Sequence, residues 1–190
     1  LGIIYLLGFF VLERIHLFDI TYMETWLDTY IPFNEYFVIP YIIWYFYIML
    51  GFLYFLKQDD FQFNRCIFYL FAGMYIALII YTFFPNGQNL RVTLTNNNIC
   101  SQLVKILYTI DTPTNVCPSL HTYNSIMMYV ALKKSDFFKN KRLLDILTFI
   151  LVVSICASTV LIKQHAIMDV FGGILLCVVV YIIGKYKFGY

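Results

Sequence analysis

His165 and Asp169, in the stretch STVLIKQHAIMDV at 158–170, lie four residues apart where two long apolar runs meet. A charged side chain at membrane depth costs about 3 kcal/mol or more, so an ionisable pair there reads first as a functional site. On a helix, positions four apart share a face, and the Asp169 carboxylate can then reach the His165 imidazole. A carboxylate on one ring nitrogen sets the tautomer and leaves the other nitrogen free as base or nucleophile. The plainer alternative is a helix-end ion pair that only anchors the helix. The pair alone does not choose between them.

A second segment, CPSLHT at 117–122, changes the balance. Pro118 suits the first position of a helix, where its fixed φ fits and its missing N–H is not needed. The N–H groups of Ser119, Leu120 and His121 would then be unpaired at the helix start, and with the helix dipole they form a ready anion site. Ser119 adds a hydroxyl donor. The chain has three histidines, and two of them, His121 and His165, fall at such helix ends. The third, His16, reads as an exposed or interfacial side chain.

The elements that must carry these residues follow from composition. Of 190 residues, 61% are hydrophobic and only 13% charged, whereas soluble domains are about half apolar and a quarter charged. The mean hydropathy is positive. This is the composition of a polytopic membrane protein. A net charge of +2 without a basic stripe excludes nucleic acid as a partner. Apolar runs at 1–12, 37–56, 66–84, 118–132, 143–162 and 166–184 predict an all-α bundle of six transmembrane helices in a single domain, 1–190. The first is cut short, because a span needs about 20 residues. A signal peptide would need a basic region and a small-residue cleavage site before Glu13, and neither is visible. The fourth run is short and carries polar residues, which fits a helix lining a site. Segment 13–36 mixes acids with Tyr22, Trp26 and Tyr30 and reads as interfacial. Residues 99–110 have apolar side chains at helical spacing and predict a short surface helix, either a roof over the site or a plain connector.

Lysine and arginine gather on the cytoplasmic side of membrane proteins. Lys57 and Arg65, then Lys133, Lys134, Lys139, Lys141 and Arg142, then Lys185 and Lys187 all fall on one side if the spans alternate. Glu13, Asp19, Glu24, Asp28, Glu35 and Asp111 fall on the other. The N-terminus is therefore expected in the cytoplasm, and the clusters at 85–91, 118–121 and 163–169 on the outer face. Of the five cysteines, Cys156 and Cys177 lie in apolar runs and act as small hydrophobes. No C-x-x-C spacing involving these or Cys66 supports zinc or redox chemistry. Cys100 and Cys117 flank one loop and would pair only if it faces an oxidising compartment.

These residues resemble the type 2 phosphatidic acid phosphatases, membrane enzymes related to vanadium haloperoxidases, whose signatures are K-x6-R-P, P-S-G-H and S-R-x5-H-x3-D. Pro118, Ser119 and His121 match the second, with Leu120 in place of glycine; the P-S-L-H form also resembles the inositol-phosphorylceramide synthase branch. Ser158, His165 and Asp169 match the third, with Thr159 where arginine is expected. Of the first, Arg91 matches, while Val92 stands in place of proline and Phe84 in place of lysine. The resemblance runs from the interfacial segment to the last span. Two family cations are missing from their usual places, and Lys163 offers one from a neighbouring position, as a point charge rather than a fork. The alternatives are a snorkelling Lys163 and an Arg91 that anchors to headgroups.

The resemblance implies a phosphatidic acid phosphatase/haloperoxidase-like core and a definite chemistry. His165 would attack phosphorus to form a phosphohistidine, with Asp169 orienting its ring. His121 would protonate the leaving alcohol and then activate water, and Arg91, Lys163, Ser119 and the Leu120 amide would hold the phosphoryl oxygens. No metal or other cofactor is expected. The substrate class is a lipid phosphate at the outer interface, such as phosphatidic acid, phosphatidylglycerol phosphate or polyprenyl pyrophosphate. Two other readings stay open: a headgroup phosphotransferase of the sphingolipid type, and a non-catalytic membrane protein that retains the fold. The synthase branch typically has a second histidine in its last motif, whereas Gln164 and Ala166 flank His165 here.

Overall fold

The computed structural model describes residues 2–12, 14–15 and 17–189. Glu13 and His16, both placed above from sequence, lie outside the described residues, as do Leu1 and Tyr190. Among the described residues the chain forms α1 (Gly2–Leu12), α2 (Val38–Phe55), α3 (Asp60–Phe83), α4 (Ile99–Ile110), α5 (Leu120–Lys133), α6 (Arg142–Leu161) and α7 (Ile167–Phe188). Two short strands, β1 (Thr21–Tyr22) and β2 (Asn86–Gly87), pair in parallel. No periodicity over so few residues could announce them. They join the interfacial segment to the chain leaving α3.

Glu35–Phe55, Asp60–Phe83, Arg142–Leu161 and Ile167–Phe188 are each long and apolar enough to cross a membrane. With the composition, this makes an integral membrane protein. The first and fourth of the six expected spans are shorter in the structure: α1 has 11 described residues and α5 has 14. At 1.5 Å per residue α5 is about 21 Å long, less than the roughly 30 Å of bilayer hydrocarbon. Its position explains this. Packed against α2, α3, α6 and α7, α5 is walled by protein, so its polar Thr122, Asn124 and Ser125 are buried among neighbours. A helix so enclosed need not match the bilayer thickness.

Close approaches hold α5 in place. The Tyr123 hydroxyl accepts from the Gly73 N–H of α3 at 3.0 Å and donates to the Tyr69 carbonyl. A Cβ on Gly73 would run into the Tyr123 ring. On the other side, a Cβ on Gly173 of α7 would lie 2.7 Å from the Ser119 carbonyl. The absent side chain is what lets the N-terminus of α7 touch the N-terminus of α5. A smaller cluster of Val38, Tyr41, Val104 and Ile162 packs α4 over α2 and the α6–α7 junction, so the amphipathic helix expected at 99–110 forms a roof.

The Gly173 contact yields a test. Gly173→Ala must push backbone away from backbone, an overpacking cost of about 1–3 kcal/mol, and thermal unfolding in detergent should show a clearly lowered Tm. An unchanged Tm would mean that the two helix starts are not held this closely.

Candidate active site

His165 stands just before α7, not within it. The chain leaves α6 at Leu161, turns, and enters α7 with Ala166 as the capping residue. The contact with Asp169 therefore arises differently from the shared helix face expected above. Asp169 is the third residue of α7, and its Oδ2 accepts from the Ala166 N–H at 2.8 Å while lying 3.2 Å from His165 Nδ1. The carboxylate caps the helix and holds the imidazole with one oxygen. Asp169 is fully buried and His165 nearly so. With Nδ1 engaged, the His165 reactive nitrogen is Nε2.

The turn before His165 is unusual. Lys163 has φ 57°, the left-handed region, which costs a non-glycine residue of order 1 kcal/mol or more. Three bonds hold it there. The Gln164 and His165 N–H groups both donate to the Thr159 carbonyl at 3.0 Å, and buried Gln88 Nε2 donates to the Lys163 carbonyl at 3.1 Å. Thr159, at the expected arginine position, is itself buried.

The segment bearing His121 is assembled by capping. The Ser119 hydroxyl accepts from the Thr122 N–H at 3.4 Å, so Ser119 caps α5 and Leu120 is its first residue. This corrects the expectation that Pro118 opens the helix: it precedes the cap, on a cis peptide bond. It also corrects the expectation of a free Ser119 N–H, which donates to the Asp169 carbonyl at 2.9 Å. Leu120 and His121 keep the orphan N–H groups that every helix start leaves. Upstream, buried Asn86 secures the loop, its Oδ1 accepting from Val116 N–H at 2.9 Å and Cys117 N–H at 2.7 Å. Tyr81 donates to the Pro118 carbonyl at 2.7 Å. Cys100 and Cys117 are free thiols, and burial pushes the Cys117 thiol up to about 12.

The two imidazoles meet. Their centroids are 5.7 Å apart with planes at 64°. His121 stacks on Tyr41 with ring centroids 4.4 Å apart and lies tilted against Trp44 at 4.3 Å, two residues one turn apart on α2. Among the described residues, His121 Nε2, Trp44 Nε1, Asn124 Oδ1 and Asp169 Oδ1 are buried without a hydrogen-bond partner. Buried polar groups are normally paired, and unpaired atoms on His121, on the Trp44 ring against it and on the Asp169 that holds His165 suit a site that a polar ligand fills.

The two predicted cations separate. Arg91 is at the site: Nη2 donates to Gln164 Oε1 at 2.8 Å and to the Asp111 carbonyl at 2.7 Å, and Nη1 to the Tyr108 carbonyl at 2.8 Å. Its guanidinium lies over the Tyr108 ring at 4.7 Å, and Nε has no partner among the described residues. Lys163 is turned to the interfacial segment instead. Its ammonium donates to the Asp28 carbonyl at 3.0 Å and the Ile31 carbonyl at 2.6 Å. Burial lowers the Lys163 pKa and the Asp28 charge opposes it. Asp28 in turn caps α7, its Oδ1 accepting from the Ile167 N–H at 2.8 Å. So the acid-bearing segment read as interfacial has one buried acid that clasps the turn beside His165.

Sequence reasoning did not single out Gln164 and Asp111 as site residues. Gln164 Nε2 donates to Asp111 Oδ2 at 3.3 Å, and the Tyr41 hydroxyl donates to the same oxygen at 3.4 Å. Burial raises the Asp111 carboxyl above its ordinary range, opposed by the charges of His165 and Arg91 and by the Tyr41 bond. The pattern D-T-P-T-N before CPSLHT was the available signal, and it reads equally as a turn.

The sequence profile of the PAP2 superfamily matches residues 93–190, more than half of the chain. The chain belongs to the PAP2 superfamily. The match includes Ser119, His121, Lys163, His165 and Asp169, and begins two residues after Arg91. No match was found among curated proteins or among solved structures. PAP2 superfamily members generally hydrolyse phosphate esters, and two facing histidines with a carboxylate on one of them suit phosphatase-type chemistry.

Two tests follow from this scaffold. Asn86→Ala leaves a buried and a part-buried N–H donor without an acceptor, at about 1–3 kcal/mol for the buried one, and should lower both Tm and the yield of folded protein. Lys163→Met should expose segment 25–34 to limited proteolysis at an enzyme concentration that leaves the wild type intact; equal resistance would remove the clasp.

Proposed function

We propose that this PAP2 superfamily protein hydrolyses a lipid phosphate monoester or pyrophosphate at the outer membrane interface through a phosphohistidine. One observation carries the reading: His165, with Nδ1 on Asp169, faces His121 across a 5.7 Å centroid separation. That spacing lets both rings touch one phosphoryl group, the first requirement for acid–base and nucleophilic roles.

The chemistry is balanced in two steps. His165 Nε2 uses its lone pair to form an N–P bond as the P–O ester bond breaks, and the departing alkoxide takes a proton from His121. Water then attacks phosphorus while His121 takes its proton, the N–P bond breaks, and inorganic phosphate leaves. Asp169 keeps the proton of His165 on Nδ1 throughout. Arg91 and the Leu120 and His121 amides oppose the charge on the phosphoryl oxygens, and such positioning and charge stabilisation supply most of phosphoryl-transfer catalysis. Ser119 contributes by capping α5, and Lys163 by clasping the turn, so both act through the placement of the imidazoles.

Placement in the membrane supports a lipid substrate. The site lies where α3 ends and α2, α5 and α7 begin, so one end of the bundle holds all of it. The lysine-rich connections lie at the other end, which puts the site outside by the positive-inside rule. A lipid can keep its chains in the bilayer there while its phosphate reaches His165.

Purified protein in detergent, given phosphatidic acid, phosphatidylglycerol phosphate and polyprenyl pyrophosphate, should release phosphate equally with and without EDTA. His165→Ala should abolish release, a loss of at least about 10⁴-fold, and acid-labile label should be trapped on the wild type alone. Label transferred only to an added alcohol would replace hydrolysis by headgroup transfer. No release and no labelling on any substrate would leave a membrane protein that keeps the fold without the reaction.

A further inference from the structure

Arg91 is held at the site by a chain of contacts that begins at a carboxylate outside the two histidine motifs. Asp111 Oδ2 accepts from Gln164 Nε2 at 3.3 Å and from the Tyr41 hydroxyl at 3.4 Å. Gln164 Oε1 accepts from Arg91 Nη2 at 2.8 Å, and the same nitrogen donates to the Asp111 main-chain carbonyl at 2.7 Å. Among the described residues the Asp111 carboxylate and the Arg91 guanidinium form no direct ion pair. The amide of Gln164 stands between them.

This order has a chemical consequence. The two ends of a primary amide are not equivalent, since the nitrogen only donates and the oxygen only accepts. A carboxylate on one side demands the NH₂ end, which turns the oxygen toward the guanidinium. Without the carboxylate the amide is free to reverse, and its NH₂ would then oppose the N–H of Arg91, donor against donor. Because the carboxylate is not itself bonded to the guanidinium, Arg91 stays available to an anion. Its unpartnered Nε is one donor for that purpose.

We propose that Asp111 is a positioning residue of this site: by setting the orientation of the Gln164 amide it aims Arg91 at the phosphoryl group bound between His121 and His165. The proposal rests on the phosphohydrolase reading for what Arg91 does, but its logic can be checked by anion binding without turnover. The positioning effect of Asp111 runs through Gln164 and Arg91 and must vanish when Arg91 is gone, whereas any effect through Tyr41, the other donor to Asp111 Oδ2, would persist in that background.

The test is a double-mutant cycle on the full chain in detergent, read by orthovanadate binding calorimetry and by kcat/KM for phosphate release. Asp111→Ala should weaken vanadate binding about 30-fold and lower kcat/KM about 100-fold, in line with the loss of a charge-assisted contact. Asp111→Asn keeps an acceptor for Gln164 and should stay within about 5-fold of the wild type. In an Arg91→Met background, Asp111→Ala should cost less than about 2-fold more, the mark of residues acting as one unit. Thermal unfolding of each variant separates this from a loss of fold. A full additional penalty in the Arg91→Met background, or an Asn variant as impaired as the Ala variant, overturns the proposal, as does a wild type that does not bind vanadate. Vanadate binding with the expected cycle but no phosphate release from any lipid would leave the role of Asp111 standing and overturn the reaction assigned above.

Discussion

Asp169 is the residue on which the two histidine segments are both fastened. Its side chain accepts from the Ala166 N–H and holds His165 Nδ1, and its main-chain carbonyl accepts from the N–H of Ser119, two residues before His121. One residue in the first turn of α7 thus sets the distance between imidazoles that are 44 positions apart in the chain. A carboxylate is costly to bury, and here its Oδ2 is compensated by the Ala166 N–H and by the imidazole. Remove that junction and neither ring has a fixed relation to the other.

Around this junction one close backbone approach and a set of buried polar side chains hold the segments in place. Gly173 allows α7 to touch the Ser119 carbonyl, Asn86 and Tyr81 secure the loop before α5, and Gln88 supports the left-handed turn at Lys163. Asp28 and Lys163 clasp that turn from the interfacial segment. Catalytic geometry must be held to fractions of an ångström by such supporting contacts. In this protein most of the supports are single buried polar side chains from loops, each serving two partners.

The histidine, serine and aspartate positions of the site were legible because few other reasons exist for ionisable groups at those depths of an apolar sequence. The helices were legible for a related reason: runs of apolar residues in a chain with so little charge have to span or line a membrane. What was read differently was local. Pro118 looked like the start of α5, but the hydroxyl of Ser119 competes better for that place by accepting from Thr122. His165 and Asp169 looked like neighbours on one helix face, but the chain enters α7 only after His165, and the contact is a cap. Lys163 looked like a phosphate-binding cation, yet its ammonium is spent on two carbonyls of the 28–31 segment.

By itself, the sequence determined the membrane class of the protein and its apolar helices, and it singled out the two histidines and the aspartate that the structure brings together, because hydropathy and rare ionisable groups are properties of the chain alone. Only the tertiary structure decided which polar side chains serve His121 and His165. Tyr41 and Trp44 are indistinguishable in sequence from the lipid-facing aromatics of the same helix until α5 packs beside them. Asp111, Gln164 and Arg91 are far apart along the chain, and their hydrogen bonds exist only once α4 lies over the α6–α7 turn. A hydrogen bond needs direction as well as distance, and direction is set by the fold.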